Sequence, residues 1–302
     1  MRTTTEIPNE ELALALPRKG PLAEPPKALA LTVIERKPGW RFVDLRDLWR
    51  YRELLFFMVW RDIKVRYKQT ALGATWAILQ PLATMAVLVM LLGRVARVLD
   101  AAIPYSLFLF AGLVPWMFFA AAVGTAGNSV MGNQHLVTKI YFPRLLMPLA
   151  AVAAAVVDFL IAFGMLLLIM MPLHGVRPGW SLIALPLVLL VLVMLAVGLG
   201  TLLAALTVAY RDFRSIVPLT MQLWMFSTSA LFFQDLSKLG PRTRALMPLN
   251  PMHGVIVNFR AAVLGGPFDL PAAGISALCA VVLLVIGCIY FRRVERSFAD
   301  II

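Results

Sequence analysis

The chain has 302 residues, is 61% hydrophobic, carries a formal net charge of +12, and has a mean hydropathy of +0.83. That apolar content exceeds the roughly 45–50% of ordinary soluble domains and excludes a soluble core of this length, so the fold class is an all-α integral membrane protein. The charge does not argue for nucleic acid, because the basic residues cluster beside apolar runs, as membrane topology requires.

In chain order, residues 1–41 hold six prolines, several charges and only the short apolar run LALAL. Such a segment reads as a disordered cytosolic tail, not a signal peptide. Residues 42–75 turn helical. Phe56, Trp60, Ile63 and Tyr67 share one stripe, and Arg61, Lys64 and Lys68 form a second beside it. An aromatic stripe next to a cationic one describes an amphipathic helix lying in the membrane interface. With Arg66, the cations number four within eight residues.

Residues 76–302 read as a six-span transmembrane domain. The apolar runs lie at about 76–93, 105–125, 147–171, 184–209, 216–233 and 270–291, each near the roughly 20 residues a crossing needs. Pro218 and the run Ser227-Thr228-Ser229 interrupt the fifth. With the N-terminus inside, 21 of the 28 Lys and Arg fall on the inner side. The seven outside are Arg94, Arg97, Arg177, Lys238, Arg242, Arg244 and Arg260. The positive-inside rule then puts both termini in the cytoplasm. In the last outer loop, 234–269, the run Pro251–Leu264 is too short to span and suits a re-entrant or interfacial helix.

Several chemistries lack their residues. No G-x-x-x-x-G-K-[ST] occurs, so the chain has no phosphate-cradling loop for ATP. His135, His174 and His253 are scattered, and no metal site is expected. Cys279 and Cys288 sit nine residues apart on one expected helix, half a turn out of phase, and read as packing residues. Asp158 is the one acid that stands out within the spans. It serves either as a hydrogen-bonding partner of a neighbouring helix or in a proton relay.

A run of long segments carries a resemblance: LWRYRELLFFMVWRDIKVRYKQTALGATWAILQP, LFLFAGLVPWMFFAAAV, NSVMGNQHLVTKIYFPRLLMPLAAV, YRDFRSIVPLTMQLWMF and LNPMHGVIVNFRAAVLG, in that order. From about Asp44 to Arg296 the chain resembles the membrane-spanning permease subunit of bacterial ABC exporters for polysaccharides and polyol phosphates. The likeness is closest to O-antigen and teichoic-acid permeases.

The resemblance implies a homodimer in the bacterial inner membrane, with an N-terminal interface helix and re-entrant helices in the last outer loop. It also implies two copies of a separate cytosolic P-loop ATPase, so that ATP and Mg belong to the partner and this chain is no enzyme. The substrate implied is a glycan on a polyprenyl pyrophosphate lipid.

By position, Asn128, Asn133, His135, Lys139, Tyr141, Pro143 and Arg144 would belong to the segment that couples to the ATPase. Asn250 and Pro251 would open the outer gate element. Arg61, Lys64, Arg66 and Lys68 then have three readings: contact with lipid headgroups, contact with the ATPase, or capture of the substrate pyrophosphate. Phe108, Phe110, Trp116, Phe118, Phe119, Trp224 and Phe226 either stack on sugars in a glycan channel or pack between helices.

Two rival functions stay open. One is an ABC permease for drugs or small lipids. The other is a membrane enzyme acting on polyprenyl phosphates, for which Asp62 and Asp212 would be the nearest acids.

Overall fold

The computed structural model describes residues 45–68, 75–96, 103–139, 142–228, 242, 246–295 and 298, with 45–47, 92–96 and 137–139 described by backbone alone. The expected tail at 1–41 and Tyr141 lie outside these residues. In chain order the helices are α1 (Leu45–Arg50), α2 (Arg52–Lys68), α3 (Thr75–Ala96), α4 (Tyr105–Gly132) and α5 (Gln134–Lys139). There follow α6 (Leu146–Leu173), α7 (Trp180–Ala209), α8 (Phe213–Ser227), α9 (Pro251–Leu264) and α10 (Leu270–Val294). No strand occurs among the described residues.

A bilayer selects this architecture, since a helix satisfies its backbone internally where no water can. Four helices are long and apolar enough to cross: α4, α6, α7 and α10. α3 has a shorter apolar stretch, Thr75–Leu91. α8 has 15 residues and rises about 22 Å, less than the roughly 30 Å hydrocarbon core. The expected fifth span reached 233, whereas α8 ends at Ser227 and the described residues pause after 228.

α4 is the hub, packing against α3, α6, α7, α8 and α9. It runs seven residues past the expected end at 125, to Gly132, and so reaches about 42 Å. Most of it from Leu107 to Val130 is buried, so it is apolar all round instead of along one stripe. α6 contains a wider π turn at Leu166–Met170.

A close backbone approach joins α7 to α10. A Cβ added at Gly198 would lie 2.5 Å from the Leu284 amide nitrogen. One added at Gly287 would lie 2.3 Å from the Gly198 carbonyl oxygen. Small residues here let two spans meet where lipid supplies no hydrophobic drive between them.

A second, smaller core gathers at the end of the bundle that carries Arg144. There Met58 of α2 joins Leu146, Met147 and Ala150 of α6, Ala204, Ala205 and Val208 of α7, and Phe291 and Phe298. Farther along, Arg66 and Tyr67 of α2 both reach Asp158 of α6. From Met58 to Arg66, α2 advances about 12 Å, and from Ala150 to Asp158, α6 advances the same. The two helices therefore run side by side.

α2 thus packs lengthwise on α6. The sequence stripe is split as well: Phe56 is 71% exposed and Trp60 49%, while Ile63 and Tyr67 are half-buried. α2 has two apolar faces, and it packs the other one, with Leu54, Leu55, Met58 and Val59, into the core.

Candidate functional site

Of the five cations of α2, Arg52 lies 5.3 Å from the Trp49 ring centroid, and the other four divide by helical phase. Lys64 and Lys68 point outward, and the Lys64 ammonium sits 5.3 Å from the Trp60 ring centroid. Arg61 donates from Nε and Nη2 to Oδ1 of Asp62, at 3.0 and 2.8 Å. Asp62 is thus an ion-pair partner. Arg66 alone turns to the bundle and donates to Oδ2 of Asp158, whose Oδ1 accepts from the Tyr67 hydroxyl.

Asp158 is the one charged residue of α6, with twelve residues before it and fifteen after. By this placement, about 18 Å along the helix, the cluster lies well inside the apolar span. Of the two readings for Asp158, the structure displays a neighbouring-helix partner. Spacing could not pair residues 92 positions apart, although an acid in an apolar span beside a cationic helix was the available signal.

The expected coupling residues lie at and just beyond the end of α4. Asn128 donates to the Gly124 carbonyl at 3.0 Å and Asn133 to that of Ser129 at 2.7 Å, bonds that bend back on the helix. The Asn133 amide closes α4 on Val130, and its carbonyl accepts from Leu136 to begin α5. His135 is exposed there, and Lys139 ends α5. The Pro143 carbonyl accepts the Leu146 amide in the first turn of α6.

Arg144 is pinned. Its amide donates to Oε1 of Glu295 at 3.1 Å, Nη1 donates to the Glu295 carbonyl, and the guanidinium lies 5.9 Å from the Phe298 ring. It fastens the start of α6 to the end of α10.

Most of the aromatic residues lie inside the helix bundle. Phe108, Phe110, Trp116, Phe118 and Phe119 are all buried. Trp116, Phe119 and Trp224 form one edge-on group with centroids 5.3–6.2 Å apart. Phe118 packs on Phe159, which continues to Phe163 and Phe259. Phe226 is 57% exposed on α8. Trp116 also borders an open groove of about 320 Å³ between α4 and α8, with Gly124, Pro218, Met221 and Gln222. Within one protomer the rings pack helix against helix, apart from Phe226 and this edge of Trp116.

At the other end, Asn250 joins two elements, α8 and α9. Its Oδ1 accepts from Trp224 Nε1 and from the Met252 amide, both at 3.0 Å, and its Nδ2 donates to Thr228 Oγ1 at 2.9 Å. It is therefore the N-cap of α9 and a clasp to the end of α8, with Pro251 at the first helical position. α9 matches the expected Pro251–Leu264 helix and is buried along most of its length.

Both ends of α9 are satisfied. Gly265 closes the helix at φ 79°, and Asn258 exchanges two hydrogen bonds with the backbone of Asp269. Arg260, counted from sequence as a loop cation, is instead buried 3.5 Å over the Phe108 ring. Its Nε donates to the Phe108 carbonyl at 3.0 Å.

Among the described residues no group of His, Cys, Asp and Glu could hold a metal ion.

Comparison with known proteins adds the family context. The family described as ABC-2 type transporter matches over residues 53–264. The chain is 32% identical to the O-antigen export system permease protein RfbA of Myxococcus xanthus, across 85% of this chain and 98% of that protein. It is 27% identical to the protein of the same name from Klebsiella pneumoniae, across 83% and 95%. Identity to the polysialic acid transport protein KpsM of Escherichia coli is 24%, across 78% and 92%.

Proposed function

This chain belongs to the ABC-2 type transporter family, and on that premise we propose that it is the permease subunit of an ATP-driven exporter of polyprenyl-pyrophosphate-linked polysaccharide. It is a multi-pass membrane protein built around α4, α6, α7 and α10. The observation that carries the reading is near-complete coverage of relatives named for O-antigen export, 98% and 95% of their lengths. With α3 and α8 as shorter spans, six crossings place both termini in the cytoplasm of a bacterial inner membrane. α9 is then the outer re-entrant element, admissible in the bilayer because protein covers it and its ends are capped.

The permease works as a homodimer with two copies of a separate P-loop ATPase, which holds the ATP and Mg, while this chain holds no cofactor. α5 and the adjoining end of α4 form the docking surface. Arg144 passes a push on that surface to both α6 and α10, because it joins the two.

Deleting the chain should abolish surface polysaccharide and accumulate lipid-linked glycan inside, with recovery on complementation. Unchanged surface glycan together with altered drug or lipid efflux would move the reading to a small-molecule permease. The purified chain alone should hydrolyse no ATP and should co-purify with a P-loop ATPase two-to-two.

Orientation has its own test. In a Cys279→Ser, Cys288→Ser background, single cysteines at 131–139 should react only from the cytoplasm and those at 238–244 only from outside. The reverse pattern would invert the topology.

A further inference from the structure

The Arg66–Asp158–Tyr67 cluster is half open. The two charged side chains are 31% and 28% exposed in the protomer, at a depth where α6 is otherwise apolar. A charged group facing hydrocarbon there is costly, so an intramembrane ion pair turns its open side to a water-filled path or to protein. The other cations of α2 are engaged or averted: Arg52 over the Trp49 ring, Arg61 on Asp62, Lys64 and Lys68 on the outward face. Arg66 is therefore the cation of this helix that lies beside α6 and still shows an open edge.

Asp158 has two donors, one on each oxygen. If the Arg66 guanidinium swings away, the carboxylate keeps the Tyr67 hydroxyl and is not left bare, which would be the costly state. The planar guanidinium suits either a carboxylate or the paired oxygens of a pyrophosphate.

We propose that Arg66 is an exchangeable ligand: Asp158 holds it in the unloaded protomer and yields it to the pyrophosphate of the lipid-linked substrate. The proposal rests on the polysaccharide-export reading and names the residue that grips the carrier. Asp158 and Tyr67 act as positioning residues, keeping Arg66 beside the path until the anion arrives.

The test uses the complex with its ATPase in nanodiscs, farnesyl pyrophosphate as probe and farnesol as its uncharged control. Wild type should bind the pyrophosphate and not the alcohol. Arg66→Lys should weaken binding at least tenfold while the complex still assembles. Asp158→Asn should tighten binding at least threefold, because the neutral amide no longer competes for the guanidinium.

The charge-exchanged double variant, Arg66→Asp with Asp158→Arg, separates this role from a structural one. It should recover assembly but export no glycan. Normal export from the exchanged pair, wild-type affinity in Arg66→Lys, or weaker binding in Asp158→Asn would each overturn the proposal. Glycan export that is intact without the chain would instead sink the export reading, and the binding measurements would still decide the role of Arg66.

Discussion

Gly198→Val is expected to prevent accumulation of folded protein. The added Cβ would sit 2.5 Å from the Leu284 nitrogen and 2.7 and 2.8 Å from neighbouring backbone atoms of α10. Backbone cannot rotate aside as a side chain can, so the helices must separate. Inserted atoms in a packed interior cost about 1–3 kcal/mol even when side chains can yield. Here the loss is larger, because the whole α7–α10 contact opens. Gly287→Val should behave alike, its Cβ meeting the Gly198 oxygen at 2.3 Å and Thr201 Oγ1 at 2.7 Å.

Gly124 and Gly164 provide the control, since nothing lies within 4 Å of a Cβ at either. Alanine there should leave stability unchanged or raise it by up to about 1 kcal/mol through helix propensity. The measurement is the monodisperse peak of a fluorescent fusion in detergent and its thermal midpoint. A normal peak from Gly198→Val would mean that α7 and α10 do not touch as described.

Asn250→Leu is the second large effect. Leucine keeps the volume but removes the acceptor shared by Trp224 Nε1 and the Met252 amide, and the donor to Thr228. Losing the cap costs about 1 kcal/mol, and each buried donor left unmet adds about 1–3 kcal/mol. The expected total is about 2–4 kcal/mol, concentrated where α8 meets α9. Hydrogen exchange should rise at 224–228 and 250–254 and stay level in α7 and α10, and export should fall with the detachment of α8.

Asn250→Asp keeps both acceptor roles and should cost less than half as much. Equal loss in the two variants would show that side-chain volume, not the hydrogen bonds, matters at this position. α8 is sensitive because its own packing is sparse. Only Val217, Met221 and Thr228 are fully buried along it and its cap, and Leu219, Leu223 and Phe226 are exposed.

The α9 helix shows how far local sequence reaches. Asn-Pro at its start and Gly265 beyond its end are capping signals that act within a few residues, so its bounds at 251 and 264 were readable without coordinates. The apolar spans were readable for a similar reason. Bilayer thickness fixes their length, and each carries its hydropathy in one contiguous run. The missing phosphate loop and the low number of intramembrane acids likewise needed no fold.

The sequence could not choose between the two apolar faces of α2, because periodicity gives a spacing and not a partner. Tertiary packing chose the face with Met58, turned Phe56 and Trp60 outward, and so set Arg66 against α6. The same limit left Arg260 looking like a loop cation until the fold put it over Phe108. It also left Arg144 looking free for docking until Glu295 closed on it.

Sequence by itself therefore determined the membrane class, the long spans and the capped helix α9, all of which follow from contiguous residues and the solvent around them. The tertiary structure decided which charges meet. Arg66 with Asp158, and Arg144 with Glu295, are separated by 92 and 151 positions. Their energies depend on distance and burial in space, which no local pattern encodes.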